Sequence, residues 1–409
     1  MSQLKMNRTD PIKRFHIDWS DLWAGARGGL RQHPEALARS IEALWPSPGR
    51  ALACLSVRSG LDLMLSALEL PVGSEVLVSA ITIPDVGRIL KEHGLVSVPV
   101  EVDYDTLAPS MSELERLSGS RTRAVLFAHL FGARVNLSPL AEFAQRKGLL
   151  LWEDCAQAYV GDDYSGHPKA DVAFFSFGAI KTMTALGGAL LSVRDPSLRD
   201  AMAQKQARLP EQSSRAFRAK CVKYALLKSA THPLAYGALT AICSSINYPR
   251  SALLSAATRG FSDANLLAQL RLRPGAPLLS LMHRRLTSGC GDSVLARKAL
   301  GDRMRERLGV SFRVPGAHAD YHSYWLFPVL AARPNDLCQY LEARGFEATA
   351  TATRLGCISA SENHPEAEAP TTRAWMSQVV YLPVYPELGE DRFNQLCAAL
   401  VNYSSGSSN

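Results

Sequence analysis

The sequence predicts an α/β protein in which a mainly parallel sheet lies between helices, followed by a smaller α+β region. Strand-like and helix-like segments alternate from about residue 56 to residue 193, and the strands are apolar along their length. This combination is typical of parallel strands that are buried on both faces. The length of 409 residues also favours one large and one smaller domain over a single core.

The elements of the large domain are assigned from the spacing of their apolar residues. Apolar residues three and four positions apart indicate helices, and short apolar runs indicate strands. In chain order we predict a helix at 60–70, a strand at 75–80, a helix at 85–93, a strand at 96–102, a helix at 111–117, a strand at 124–128, a helix at 137–147 and strands at 149–154, 172–177 and 188–193. Ligands of such sheets bind beyond the carboxyl ends of the strands, where Asp154 and Ser176 both fall.

The second half of the chain is predicted to continue with helices and then an α+β module. Its elements are basic helical sequence at 195–230, arginine-rich helical sequence at 278–308, a strand at 324–329, a helix at 335–344, a flexible acidic loop at 362–370, a strand at 379–383 and a helix at 391–401. The predicted division is an N-terminal segment (1–45), a large domain (46–310) with a helical insert (195–290), a small α+β domain (311–403) and a disordered tail (404–409).

The insert is both basic and apolar. Residues 194–310 hold 20 lysines and arginines against 7 acidic residues, in a chain of net charge +7. Residues 224–248 carry Lys228 as their only formal charge, but Pro233 and Gly237 interrupt them, which favours a buried or membrane-surface hairpin over a membrane span. Solvated helix faces, an anionic substrate or an anionic membrane would each explain the charge; nucleic acid is disfavoured because no recognised binding motif accompanies it.

Composition and cysteine spacing describe an ordinary globular protein. Apolar residues make up 47% of the chain and charged residues 20%. The eight cysteines show no paired spacing, so the sequence suggests neither a metal site nor a disulfide framework. The N-terminus lacks the apolar region of a signal peptide. We therefore expect a cytoplasmic protein, with contact to the inner face of the membrane through residues 224–248 as an alternative location.

Lys181 is the candidate reactive residue. It follows an apolar strand and precedes Gly187-Gly188. Burial disfavours a charged amine, and a neutral amine can form a Schiff base with an aldehyde such as that of pyridoxal phosphate. A solvated surface lysine is the alternative, and is the commoner case for a lysine considered alone.

Three other features precede Lys181 in the chain. Ser59-Gly60 is predicted to open a helix, where backbone amides bind phosphate; Asp154 could hold a pyridine nitrogen protonated; and Ser176 offers a hydroxyl to a phosphate oxygen. Each has a structural alternative, since serine and glycine often begin helices, Asp154 could cap a helix, and Ser176 could lie in a turn.

This order and its local sequences resemble the DegT/DnrJ/EryC1/StrS family of pyridoxal-phosphate-dependent aminotransferases. The resemblance is dense over residues 55–195 and partial over 315–401. The matching strings are Ser59-Gly60, Gly73-Ser74-Glu75-Val76-Leu77-Val78, Thr82, Ala128-His129-Leu130-Phe131-Gly132, Glu153-Asp154-Cys155-Ala156-Gln157-Ala158, Ser176-Phe177-Gly178-Ala179-Ile180-Lys181, Gly187-Gly188, residues 324–329 and Leu382-Pro383-Val384-Tyr385-Pro386.

The resemblance implies fold type I, pyridoxal 5'-phosphate as cofactor and a homodimer. Lys181 and Asp154 would be catalytic, with Lys181 as the Schiff-base amine and Asp154 paired with the pyridine nitrogen. Gln157 would approach the ring hydroxyl or the ring face, whereas His129 is interpreted as structural. The residues implied to contact the cofactor are Lys181, Asp154, Gln157, Ser176, Ser59, Gly60, Leu61 and Ile83.

The chain departs from the family at several positions. Ile83 replaces an aromatic residue that stacks on the cofactor, and Leu61 replaces a threonine that helps to bind its phosphate. Leu186 and Gly178 replace an acidic residue and a histidine. The family's asparagine–tyrosine–arginine string, which completes the partner subunit's site, has only Asn247-Tyr248-Pro249-Arg250 as a weak match.

The favoured function is transfer of an amino group from an amino acid, with glutamate expected, to a keto-sugar, expected to be nucleotide-linked. The first alternative keeps the chemistry but replaces the substrate with an apolar or lipid-linked carbonyl compound. A dehydratase related to the family is disfavoured because those proteins replace the lysine. A non-catalytic binding or regulatory protein with the same fold is the remaining alternative, which Ile83 and Leu61 keep open.

Overall fold

A seven-stranded sheet lies at the centre of the protein, which is described here by a computed structural model. The structure describes residues 8–12, 14–29, 32–233, 235–237, 265–289, 291–350, 355–362 and 364–406. The strands are β1 (Ala51–Cys54), β2 (Glu75–Ser79), β3 (Ile81–Thr82), β4 (Val96–Val100), β5 (Thr122–Ala128), β6 (Ala133–Arg134), β7 (Leu150–Asp154), β8 (Val172–Ser176), β9 (Ala189–Val193), β10 (Tyr321–His322), β11 (Phe327–Leu330), β12 (Gly356–Cys357) and β13 (Val379–Leu382). The central sheet has the order β1-β9-β8-β7-β5-β2-β4.

Fourteen α-helices have bounds within the described residues. They are α1 (Trp19–Arg27), α2 (Pro34–Ala43), α3 (Val57–Leu68), α4 (Pro84–Glu92), α5 (Met111–Leu117), α6 (Ser138–Lys147), α7 (Pro196–Ala207), α8 (Ser214–Ala230), α9 (Leu266–Leu270), α10 (Ala276–Ser288), α11 (Gly291–Leu308), α12 (Pro334–Glu342), α13 (Pro370–Met376) and α14 (Glu390–Gly406). None of these described helices is long and apolar enough to cross a membrane.

The sheet is mainly parallel and covered on both faces, as predicted. β4, β2, β5, β7 and β8 run parallel, whereas β9 is antiparallel to both β8 and β1. Successive side chains of a strand point to opposite faces. In β8, Phe174 packs in the cluster that contains α3 and α7, while Phe175 packs in the cluster that contains α2, α8 and α10. This burial of alternate residues explains the uniformly apolar strands.

The N-terminal segment, for which the sequence predicted no element, forms α1 and α2. Ile17, Leu22, Leu37, Ile41 and Trp45 are buried in one cluster with residues of α8 and α10. The segment therefore contributes to the core of the large domain. β1 was also missed, because its four residues are too short for a recognisable pattern.

The C-terminal part is built on the antiparallel pair β11–β13, with α11, α12 and α14 around a common core. The predicted strand at 324–329 is wrong at its start. Tyr324 has a left-handed φ of 48°, stacks on His322 at 4.2 Å between ring centroids and donates a hydrogen bond to Asp302. The continuous strand consequently begins only at Phe327.

Four other predicted segments also differ from the structure. The region 195–230 contains a break between α7 and α8, and 278–308 contains one between α10 and α11. The acidic loop at 362–370 includes a short 3-10 turn (Pro365–Ala367) in which Ala367 is buried. The tail predicted to be disordered from residue 404 continues α14 to Gly406.

Candidate active site

A cavity of about 560 Å³ lies at the carboxyl ends of β7 and β8, beside the N-terminus of α3. This is where ligands bind in open α/β sheets, because the loops that follow parallel strands diverge there. Most of the predicted site residues contribute to its wall. Those that do so are Leu61, Ile83, Asp154, Gln157, Ser176 and Lys181. Ser59 and Gly60 are buried behind this wall in α3.

Lys181 lies in the turn after β8, and its amine faces the cavity. The Lys181 amide donates to Gly178 O at 3.0 Å, and Nζ lies 4.2 Å from the centroid of the Trp325 ring. The Trp325 indole is itself held by a 2.8 Å hydrogen bond to Ile180 O. Burial lowers the pKa of Lys181 from 10.5 to about 8; Asp154 opposes this shift and Arg58 adds to it. The structure therefore excludes the alternative of a solvated surface lysine.

Asp154 is the last residue of β7. Its Oδ1 accepts a 2.8 Å hydrogen bond from the Ala156 amide, and its Oδ2 has no hydrogen bond among the described residues. Burial raises the pKa of Asp154 above its ordinary value, although the Ala156 amide and Lys181 oppose the rise. One oxygen thus fixes the following turn, and the other remains available to a ligand. The alternative of a helix cap is wrong, since residues 155–158 form a turn and no helix.

Behind Asp154, a buried hydrogen-bond network around Glu153 fixes the end of β7. Glu153 Oε1 lies 2.9 Å from His129 Nε2 and 3.1 Å from Cys155 Sγ, and it also accepts from Tyr164. His129 Nδ1 accepts from the Val135 amide, so Nε2 carries the proton that is donated to Glu153. Burial alone would raise the pKa of Glu153, but these donors lower it to about 2.

Three members of this network form the one group of described residues that are spaced closely enough to bind a metal ion. The ligand atoms of His129, Glu153 and Cys155 lie within 4.8 Å of one another. All three are joined by hydrogen bonds within the network, and burial raises the pKa of the Cys155 thiol well above its ordinary value. The geometry therefore agrees with the interpretation of His129 as structural.

Gln157 and Ser176 occupy the floor of the cavity. Gln157 Oε1 accepts a 2.9 Å hydrogen bond from the Phe131 amide, which leaves its side-chain NH₂ group to face a ligand. Ser176 Oγ accepts from the Gly178 amide at 3.3 Å, which leaves its own proton for another acceptor. Both side chains are therefore oriented by the backbone.

The N-terminus of α3 requires a correction. The helix begins at Val57, three residues earlier than predicted, and Ser56 is its cap, accepting from the Ser59 amide at 3.1 Å. The Gly60 amide donates to Ser56 O at 2.9 Å and is therefore not available to a phosphate. The amides that the first turn leaves without helical partners begin at Val57.

Gly60 instead allows α3 to approach the sheet. A Cβ on this residue would lie 2.6 Å from Leu191 Cδ1 of β9, closer than two carbon atoms can approach. Gly188 has a comparable role: its φ is 87°, and a Cβ would lie 2.2 Å from Met282 Sδ of α10. Both glycines bring neighbouring elements together around the cavity.

Helix α8 also contributes to the cavity, which its sequence did not predict. Ser213, Ala216, Lys220 and Tyr224 line the cavity at spacings of three and four residues, and Arg58 and Trp325 line it from other elements. The helical spacing was visible in the sequence, but nothing in a single sequence shows which side of α8 faces the cavity. The string at 247–250 and the end of the apolar stretch at 238–248 lie outside the described residues.

Comparison with known proteins shows what part of the chain is similar to. The sequence model of the DegT/DnrJ/EryC1/StrS aminotransferase family matches residues 35–223. Over 143 residues the chain is 32% identical to a GDP-perosamine synthase of Escherichia coli O157:H7, a match that covers 34% of this chain and 39% of that protein. The chain thus aligns with about two fifths of the length of this curated relative.

Solved structures show the same fold over nearly the whole chain. The sugar aminotransferase CalS13 from Micromonospora echinospora superposes with a TM-score of 0.69 and 19% identity, covering 96% of this chain and 99% of that one. DesI, determined in the presence of its TDP-sugar product, superposes with a TM-score of 0.69 and 18% identity, covering 97% and 93%. The protein has the fold of the fold type I aminotransferases.

Proposed function

We propose that the chain is a pyridoxal-phosphate-dependent aminotransferase of the DegT/DnrJ/EryC1/StrS family, whose sequence model matches residues 35–223. The observation that carries the proposal is the pairing of Lys181 and Asp154 in one cavity. A lysine whose pKa is lowered by burial to about 8 faces the same space as a carboxylate with one oxygen unengaged.

The residues present fit the cofactor. Lys181 supplies an amine for its aldehyde, Asp154 an acceptor for a protonated ring nitrogen, and Ser176 a donor for its phosphate. Ile83 supplies an aliphatic surface for the ring, without the stacking that an aromatic residue would provide. When bound, pyridoxal phosphate supplies an aldehyde and a ring that accepts electron density from the substrate.

The chain's own part in the reaction is to orient groups and to move protons. The Lys181 amine would be the base that removes a proton from the donor and returns one to the acceptor, and a pKa near 8 suits both steps close to neutral pH. Asp154 would hold the ring nitrogen protonated. Trp325 closes the side of the cavity next to Lys181 and limits the access of water to the amine.

We infer that the acceptor is a keto-sugar, expected to be nucleotide-linked, and that glutamate or a similar amino acid is the donor. Support comes from the names of the relatives, a GDP-perosamine synthase and an aminotransferase with a TDP-sugar product. The cavity also favours anions, since Arg58, Lys181 and Lys220 line it and Asp154 is the one acid among its described lining residues. An apolar or lipid-linked carbonyl remains the alternative substrate.

The homodimer is proposed from the resemblance. The mass of the protein in solution, measured by light scattering, tests it.

Peripheral contact with an anionic membrane is supported by α8, which holds five basic residues and no acidic one and exposes Val222 and Leu226. Flotation with anionic vesicles tests this contact, and protein that stays at the bottom of the gradient would argue against it.

The function is tested by incubating the protein with cofactor, glutamate and a panel of nucleotide-linked keto-sugars and acyl ketones. We expect amino transfer to a keto-sugar and its loss in Lys181→Ala. Transfer to acyl ketones alone would favour the alternative substrate. A protein that binds no cofactor would refute the aminotransferase and leave the non-catalytic interpretation.

A further inference from the structure

Lys220 is a second amine in the cavity. It lies on α8, on the helix face formed with Ala216 and Tyr224, and it is half-buried in the cavity wall. Burial lowers the pKa of Lys220 from 10.5 to about 8. Nothing in the sequence singled it out among the basic residues of the insert.

The charges around the cavity are balanced except at Lys220. Asp154 compensates Lys181, since the charges of these two residues interact. Arg58 forms an ion pair with Asp85 at 2.5 Å. Lys220 has no carboxylate partner and no hydrogen-bond acceptor among the described residues, and its half-buried side chain lines the cavity. A half-buried ammonium without a counter-ion is unfavourable, and an anion bound in the cavity would compensate its charge.

The Lys220 amine lies beside the loop that joins β8 to β9. A Cβ built on Gly187 would be 3.8 Å from Lys220 Nζ, so the amine contacts this part of the backbone. The next residue, Gly188, donates a 2.8 Å hydrogen bond to Leu55 O, immediately before the Ser56 cap of α3. Lys220 is therefore next to the N-terminus of α3.

Ser176 reaches the same place from β8. The register of the sheet pairs Ser176 with Ala189, which follows Gly188 directly. Three groups thus converge around residues 187–189: the Ser176 hydroxyl, the first turn of α3 and the unpaired ammonium of Lys220. Helix N-termini attract phosphate through their amides and their dipole, and an ammonium adds a full charge to that attraction.

We propose that Lys220 binds the phosphate of pyridoxal phosphate at the N-terminus of α3. The inference rests on the proposed function and adds a residue of this chain to the phosphate site. The dianionic phosphate satisfies the ammonium of Lys220, the Ser176 hydroxyl and the first amides of α3 together.

The test measures binding of pyridoxal phosphate and of pyridoxal, which has no phosphate, to the apoprotein by fluorescence titration. We expect Lys220→Met to weaken binding of pyridoxal phosphate by about tenfold to a hundredfold, as for the loss of one charge-assisted hydrogen bond, and to leave pyridoxal binding unchanged. Lys220→Arg should restore most of the loss. Lys223→Met, on the exposed side of the same helix, is the matched control and should bind both compounds as the parent protein does.

Other outcomes overturn the inference in distinguishable ways. Equal weakening of both compounds would assign Lys220 to packing, and unchanged binding of both would remove it from the phosphate site. A Lys220→Met protein with an unchanged dissociation constant for pyridoxal phosphate but a raised KM for a nucleotide-sugar would assign the charge to the substrate. A parent protein that binds neither compound would refute the proposed function together with this inference.

Discussion

The lowered pKa of Lys181 makes a quantitative prediction about capture of the cofactor. With a pKa of about 8 in place of 10.5, the neutral fraction of the amine at pH 7 is about 9% in place of about 0.03%. Only the neutral amine attacks an aldehyde. Apoprotein should therefore bind pyridoxal phosphate covalently about 300-fold faster at pH 7 than it would through an ordinary lysine.

The lowered pKa of Lys181 also predicts how the rate of covalent binding changes with pH. The rate should rise with pH, reach half its maximum near pH 8 and level off above it, as followed by the visible absorbance after rapid mixing. Asp154→Asn removes a charge that raises the pKa of Lys181, so its midpoint should move down by about one pH unit or more. Lys223→Met should leave the midpoint in place.

Two results would refute this reasoning. A parent midpoint near 10.5 would show that the amine is solvated, contrary to its position in the cavity. An unchanged midpoint in Asp154→Asn would show that the two charges do not interact. Lys181→Met should abolish the absorbance change, and a residual change would mean that Lys220 also captures the aldehyde.

Two further predictions concern stability, measured by urea unfolding. Gly188→Ala should lower the free energy of unfolding by about 2 to 3 kcal/mol, because φ is 87° and Met282 Sδ would be 2.2 Å from the new Cβ. Gly187→Ala is the control and should have little effect, because its Cβ would lie 3.5 Å from the nearest atom. Equal losses of stability in the two variants would contradict the steric argument. Glu153→Gln should cost about 3 kcal/mol at pH 7, the equivalent of a pKa lowered from 4.5 to about 2. The difference in unfolding free energy between the parent protein and Glu153→Gln should be constant above pH 5. It should shrink as the pH falls through 4.5 towards 2, because protonation of Glu153 then removes the stabilisation from the parent protein as well. A difference that does not depend on pH would contradict the lowered pKa of Glu153.

The sequence predicted the central sheet well because its strands are buried on both faces and therefore apolar throughout. It also predicted Asp154 and Ser176 at strand ends, because a change from apolar to polar residues marks the point where a strand leaves the core. The start of α3 was placed too late, since serine occurs at both position 56 and position 59 and either can cap a helix.

Other parts could not be predicted from local pattern. Lys220 faces the cavity only because α8 packs across the sheet, and a single sequence does not show which side of a basic helix is buried. Tyr324 interrupts a strand-like run because Gly301 leaves room for its ring: a Cβ on Gly301 would lie 2.2 Å from Tyr324 Cδ2. Such long-range contacts decide backbone conformation without a local signal.

The contact between Trp325 and Lys181 gives the protein a built-in optical reporter. Trp325 belongs to the C-terminal part and Lys181 to the loop after β8, and the indole ring lies 4.2 Å from the amine. A chromophore attached to Lys181 that absorbs in the near ultraviolet will take up the excitation energy of this indole. The chain has six tryptophans, so the difference between the parent protein and Trp325→Phe isolates the signal. The fluorescence decay time of Trp325 would then report the distance between the C-terminal part and the loop after β8 during turnover, without any added label.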